Sequence, residues 1–87
     1  MKAQIVGINT QKGRAIALTE DSEYVLLEIE SGDEFEMYDE INANFNFHPL
    51  GGECVKNLNS GETIDVYIQD YCNKDLALKY LKALEWL

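Results

Sequence analysis

Apolar and polar residues alternate along much of the chain between positions 2 and 70, which is typical of β-strands that bury one face. In the third such stretch Val25, Leu27 and Ile29 share one side of the strand, while Glu28 and Glu30 share the other. The pattern predicts strands at Lys2–Asn9, Arg14–Thr19, Tyr24–Glu30, Ile41–Phe47, Glu53–Leu58 and Thr63–Gln69. We therefore expect a mainly β protein whose strands are joined by short turns.

Glycine and proline mark the turns between these strands. Gly13 closes the polar loop of the first hairpin, where a left-handed residue and a bulge commonly follow a type I turn. Pro49 and the pair Gly51-Gly52 are expected to end the fourth strand in a sharp reversal. The segment Glu34–Tyr38 fits either a short strand or an ordered connection, and the pattern does not decide between them.

The spacing of the apolar residues changes from two to three or four towards the C-terminal end of the chain. Asn73 is a good N-cap, and a helix is predicted over Lys74–Trp86. Its apolar residues return at helical spacing: Leu76, Ala77, Tyr80, Leu81, Leu84 and Leu87. We expect this stripe to seal the open end of the sheet structure, with a dimer contact as the less favoured alternative. Tyr67 and Tyr71 precede the helix closely and are expected to pack beneath it.

The first loop carries a short motif, in which Asn9 and two variable positions precede Lys12-Gly13, after a strand containing Ile5 and Ile8. In this motif, and in the order of predicted strands over about residues 2–58, the chain resembles the cold-shock domain and related OB-fold RNA-binding modules. The resemblance implies an OB-fold-like antiparallel β-barrel. Together with the apolar pattern, it predicts a barrel of five to six strands over residues 2–70, followed by one C-terminal α-helix at 74–86. Residues 1–87 would then form a single domain, with the sixth strand and the helix outside the resemblance.

Acidic residues dominate the charge of the chain. Seven Lys and Arg residues stand against sixteen Asp and Glu residues, which gives a net charge of −9, and no cation occurs between Arg14 and Lys56. Such a field repels phosphates over about 8 to 10 Å at physiological salt. The acidic middle segment is either a solvated surface or a docking face for a basic partner, and the sequence leaves both open.

Reactive chemistry has little support in the sequence. Cys54 and Cys72 form neither a dense disulfide framework nor a CxxC pair, and His48 lacks a recognisable nucleophile motif. We expect reduced thiols, no metal, no cofactor and no catalytic residue. The sequence has neither the 18 apolar residues of a membrane span nor the apolar segment of a secretory signal, so we expect a cytoplasmic protein that does not bind membranes.

Nucleic-acid binding is the first of two functions that we expect. The resemblance implies weak binding of single-stranded RNA or DNA, because the cations occur near the loops that OB folds use for ligands. The residues for this role are Lys12, Arg14, Tyr24 and Lys56. Against it, the aromatic platforms on which cold-shock proteins stack bases are replaced here by Gly7, Arg14 and Ile16.

The second expected function is that of an acidic adaptor, either a monomer or a weak homodimer, that docks a basic protein. The residues for this role are Glu28, Glu30, Glu34 and Glu36. The position of the cations places nucleic-acid binding narrowly ahead, whereas the net charge and the missing aromatic platforms favour the adaptor.

Overall fold

Six strands close into one antiparallel barrel in the computed structural model, which describes residues 1–31, 35–72 and 82–87. The strands are β1 (Lys2–Asn9), β2 (Arg14–Thr19), β3 (Tyr24–Ser31), β4 (Glu40–Asn42), β5 (Gly51–Asn57) and β6 (Thr63–Cys72). A 3-10 helix covers Phe45–Phe47, and residues 82–86 form an α-helical segment, α1.

The barrel consists of two three-stranded meanders joined along both edges. In the first, β2 pairs with β1 and β3, and in the second, β5 pairs with β4 and β6. The meanders meet where β3 pairs with β6 and where β1 pairs with β4, and every pairing is antiparallel. The predicted fold class, a mainly β closed barrel with a helix at the C-terminal end, is confirmed.

The core lies inside this cylinder and follows the alternation seen in the sequence. Val25 and Leu27 on β3 point inwards with no exposed surface. The inward residues of the other strands include Ile5, Ala15, Ala17, Ile41, Val55, Ile64, Val66 and Ile68. The first hairpin is formed as predicted, with the same strand bounds and with Gly13 in the left-handed region at φ 65°.

The predicted fourth strand over Ile41–Phe47 is wrong beyond its first residues. The strand ends at Asn42, and Phe45–Phe47 form a single 3-10 turn in which the Phe47 amide donates to the Asn44 carbonyl at 3.0 Å. A 3-10 helix has about three residues per turn, so residues two apart point in different directions. Phe45 is therefore buried in the core, whereas Phe47 is 78% exposed.

The expected reversal at Gly51-Gly52 is also displaced along the chain. Both glycines belong to β5, where they pair with Ile68 and Tyr67. The left-handed residue that ends the 3-10 turn is His48, at φ 51°. The segment left open by the sequence is a connection: residues 35–39 form no strand, and Phe35 is buried in the core.

Residues 82–87, the described part of the C-terminal segment, lie on the outer side of the barrel and do not seal its end. Ala83, Trp86 and Leu87 pack against the outer side of the first meander, and Leu84, predicted to be buried, is 50% exposed. The predicted cap Asn73 and residues 74–81 of the predicted helix lie outside the described residues. Within the described ranges, no helix is both long and apolar enough to cross a membrane.

Candidate functional site

The outer side of β1, β2 and β3 carries apolar residues that the C-terminal residues cover. Val6, Ile16 and Leu26 point away from the core and pack in a second cluster with Tyr24 and Cys72. Ala83 and Trp86 of α1 and the following Leu87 complete the cluster. Because the outer face of an antiparallel sheet is ordinarily polar, this apolar face requires a cover. We call the outer side of β1–β3 over these residues the covered face.

Trp86 attaches α1 to the covered face. Its indole N–H lies 3.1 Å from both the Ala15 carbonyl on β2 and the Leu27 carbonyl on β3, so one donor bridges two strands. A buried indole needs such a partner, because an unpaired polar group is costly to desolvate. The contact therefore fixes both the position and the orientation of the ring.

Two residues of the first hairpin hold the C-terminal end of the chain. The Arg14 guanidinium lies 4.4 Å from the centroid of the Trp86 ring and donates to the Trp86 carbonyl at 3.2 Å. The Asn9 side chain donates to a Leu87 oxygen at 2.9 Å and accepts the Lys12 amide at 3.1 Å. Gly7 leaves room for Leu87, since a Cβ at Gly7 would lie 2.8 Å from the Leu87 Cδ1.

The structure separates the residues predicted to bind nucleic acid. Lys12 is exposed, Arg14 is held by Trp86, and Tyr24 is half-buried in the cluster on the covered face. Lys56 lies elsewhere, on β5, where its cross-strand neighbour is Asn42.

Two cations, Lys2 and Lys56, lie near the start of β1, at the end of the strand away from Arg14. Lys2 and Lys56 flank Asn42 on adjacent strands, so their side chains occupy one stretch of the outer wall. Arg14 pairs with Asn9, which is seven residues from Lys2, or about 23 Å along a strand. The structure thus brings Lys56 together with Lys2, and not with Lys12 or Arg14.

The predicted acidic residues lie on the first meander and on the connection that follows it. Glu28 is half-buried beside its cross-strand neighbours Arg14 and Tyr67, and Glu30 is exposed further along β3. Glu36 is exposed in the connection to β4. Glu34 lies outside the described residues. The charged groups of Glu30 and Glu36 are therefore available to a partner.

The turn that contains Glu36 is held by several hydrogen bonds. The Asp39 carboxylate accepts the Glu36 amide at 2.9 Å and the Asn57 side-chain amide at 2.8 Å. The Tyr38 amide donates to the Ile5 carbonyl at 2.8 Å, although Tyr38 lies in the left-handed region at φ 69°. Tyr38 is 66% exposed, so a fixed turn carries both an exposed aromatic ring and the exposed Glu36.

His48 takes part in a cluster that the sequence did not predict. Its Nε2 lies 2.9 Å from both carboxylate oxygens of Glu23, and its ring packs edge-on against Tyr71 with centroids 4.8 Å apart. The Tyr71 hydroxyl donates to the Pro49 carbonyl at 2.9 Å. Burial raises the pKa of Tyr71 to about 12, and the charges of Glu53 and Glu23 add to that shift. Tyr71 is thus half-buried in this cluster, and Tyr67 is exposed.

Cys54 is the exposed cysteine of the two. Its thiol donates to the Asp65 carboxylate at 3.0 Å, and this hydrogen bond raises the pKa of Cys54 above its usual value. A thiol kept protonated is a poor nucleophile and a poor metal ligand. No group of three or more His, Cys, Asp or Glu side chains among the described residues is arranged to hold a metal ion.

The chain matches no protein-family model, and it matches neither a curated protein nor a solved structure. The surfaces of the barrel are therefore the guide to its function. Three of them stand out: the covered face, the acidic stretch with Glu30 and Glu36, and the segment around His48.

Proposed function

We propose that this protein is a non-enzymatic, OB-like β-barrel module that docks a basic segment of another protein through its acidic outer surface. Glu30 and Glu36 supply exposed carboxylates, and Tyr38 supplies an exposed ring on which an arginine can stack. The net charge of −9 speeds the approach of a cationic partner and disfavours self-association, so the module is expected to act as a monomer.

The single observation that carries this proposal is the contact between Arg14 and Trp86. The cation on the side of the barrel that OB folds use for oligonucleotides already stacks on a ring of the same chain and donates to its carbonyl. Around it, the apolar residues of the covered face pack against α1 rather than facing solvent. A single strand would have to displace the C-terminal residues before it could reach Arg14.

Binding of single-stranded nucleic acid, ranked narrowly first from the sequence, becomes the second candidate, and the pair Lys2 and Lys56 favours it. These exposed cations flank Asn42 on three adjacent strands, so one single strand can reach both with its phosphates. However, the shallow groove of about 340 Å³ beside Lys2 is also lined by Glu20 and Glu40. These carboxylates oppose the approach of phosphates, so this candidate ranks second.

Fluorescence anisotropy with two labelled probes tests the proposal. The probes are a short Arg/Lys-rich peptide and a single-stranded RNA of similar length, each titrated at low and at moderate salt. We expect saturable binding of the peptide that weakens with salt, and weaker or no binding of the RNA. If the RNA binds and the peptide does not, the proposal is wrong and the second candidate replaces it.

A matched pair of variants locates the binding surface. The double variant Glu30→Gln/Glu36→Gln should lower peptide affinity about fivefold, at roughly 0.5 kcal/mol for each exposed charge. The control Glu62→Gln/Glu85→Gln removes the same charge from exposed positions elsewhere and should have a smaller effect. Equal losses from both variants would mean that the peptide responds to net charge only and has no defined site.

A further inference from the structure

Two large apolar side chains stand out of the barrel on either side of His48-Pro49. Phe47 is 78% exposed and Leu50 is 64% exposed, and only two residues separate them in the chain. Single exposed apolar residues are common, but neighbouring large ones on the same short segment are typical of interaction sites. We call Phe47 and Leu50, with Pro49 between them, the apolar docking surface.

The backbone that presents this surface is fixed on both sides. The His48 amide donates to the Phe45 carbonyl at 3.0 Å, and Phe45 itself is buried in the core. The His48 ring is held by Glu23, and the Pro49 carbonyl accepts the Tyr71 hydroxyl. A surface ordered before binding loses little conformational entropy when a partner arrives, which favours affinity.

Charge indicates which partner fits the surface. Glu23 is bound to His48, and Glu53 is close enough to Tyr71 to influence its hydroxyl, so carboxylates border the apolar side chains. A second copy of the chain brings another −9 of charge and is repelled. A cationic segment is attracted, and its own apolar side chains can pack on Phe47 and Leu50.

We infer that the apolar docking surface anchors a basic, amphipathic segment of a partner protein through large apolar side chains of that segment. The inference rests on the proposed function, because the partner is the same basic protein. It adds a separate apolar contact, since His48 binds Glu23 immediately before β3, whereas Glu30 lies seven residues further along, or about 23 Å away. In interfaces of this kind, a few desolvated apolar anchors carry most of the affinity, while rim charges guide the approach.

Two synthetic peptides of equal Lys and Arg content test the inference. One carries Trp and Leu at helical spacing, and the other has Ser at those positions. We expect the wild-type protein to bind the apolar peptide at least tenfold more tightly, which is about 1.4 kcal/mol at 25 °C. The variant Phe47→Ser/Leu50→Ser should bind both peptides equally, whereas Leu84→Ser, which removes an exposed leucine from α1, should keep the preference.

The outcomes separate this inference from the proposed function. If both peptides bind equally to wild type, the apolar docking surface has no role, while the acidic module stands. If neither peptide binds, both are wrong. Sedimentation of wild type and of Phe47→Ser/Leu50→Ser tests whether a second copy of the chain occupies the surface. Self-association that the variant abolishes would assign the surface to that second copy and overturn the inference. Circular dichroism confirms that each variant is folded before it is compared.

Discussion

The Arg14 guanidinium lies 4.4 Å from the centroid of the Trp86 ring, although 71 residues separate the two in the chain. Arg14 begins β2, and Trp86 ends the helical segment α1. The contact joins the first hairpin to the C-terminal residues and holds the Arg14 guanidinium against the indole ring. Cation–π pairs of this kind contribute about 0.5 to 1 kcal/mol when exposed and more when desolvated.

Trp86→Ala should destabilise the protein strongly. The change removes a half-buried ring from the covered face and takes away the indole donor to the Ala15 and Leu27 carbonyls, so we expect a loss of about 2 to 3 kcal/mol in the free energy of unfolding. Leu84→Ala, on the exposed side of the same segment, should cost about 0.5 kcal/mol or less. Urea denaturation followed by far-UV circular dichroism measures both. Equal losses would show that the covered face does not depend on Trp86.

Gly13→Ala should cost about 1 kcal/mol through the backbone alone. Gly13 has φ 65°, and a Cβ there would have Ile29 O at 3.7 Å as its nearest neighbour, so space is not the cause. Gly52→Ala is the matched control, because a Cβ at Gly52 meets nothing within 4 Å and its φ lies outside the left-handed region. Thermal or urea unfolding of the two variants gives the comparison. A neutral Gly13→Ala would contradict the left-handed hairpin residue.

The ion pair between Asp70 and Lys82 should make the attachment of α1 sensitive to acid. The hydrogen bond from Lys82 lowers the pKa of Asp70 below its ordinary 3.8, against the opposing effect of burial. A lowered carboxyl pKa contributes stability that is present above the ordinary pKa and is lost as the pH falls through the folded value. Because both side chains are about half exposed, the contribution should be small, about 0.5 kcal/mol.

Urea unfolding of wild type and Asp70→Asn between pH 7 and pH 2 measures this effect. Wild type should be the more stable of the two near neutrality, and the difference should disappear at the acidic end, where Asp70 is protonated. A difference that stays constant over the whole range would mean that the charge of Asp70 does not contribute.

Tyr71 should ionise only at high pH. Its pKa is raised to about 12, chiefly by burial, so the ultraviolet absorbance titration of the five tyrosines should contain a late step that Tyr71→Phe removes. Since the unfolded chain releases this proton near pH 10, stability should fall as the pH rises from about 10 to 12. A titration that Tyr71→Phe leaves unchanged in shape would contradict the buried position of the hydroxyl.

The sequence predicted the regular part of the barrel well, because alternation directly reports a strand with one buried face. The prediction failed where a strand and a 3-10 turn show the same alternation of apolar and polar residues. Ile41, Ala43, Phe45 and Phe47 alternate as they would in a strand, yet the chain leaves the sheet after Asn42 and turns in a 3-10 helix. The exposed Phe47 follows from that turn, so the apolar docking surface could not be found from alternation alone.

The covered face did leave a signal in the sequence. The run Ala15-Ile16-Ala17-Leu18 is apolar on both sides of its strand, which is typical of a strand buried on two faces. That run indicates a cover but does not identify it, because the contact with residues 83–87 joins distant parts of the chain. Likewise, the cationic pair Lys2 and Lys56 depends on the register of β4 between β1 and β5, which a sequence pattern does not specify.

The indole N–H signal of Trp86 tests most directly whether the C-terminal residues cover the outer face of the barrel. Trp86 is the only tryptophan in the chain, so this signal is unambiguous. Single-stranded RNA is titrated at low salt into ¹⁵N-labelled protein, and the indole signal is followed by NMR. If the C-terminal residues occupy the covered face, the indole proton exchanges slowly with solvent, and its position does not change as RNA is added. An indole proton that exchanges freely would contradict the cover. An indole signal that shifts in a saturable way with RNA would also contradict it and would make that face the nucleic-acid site.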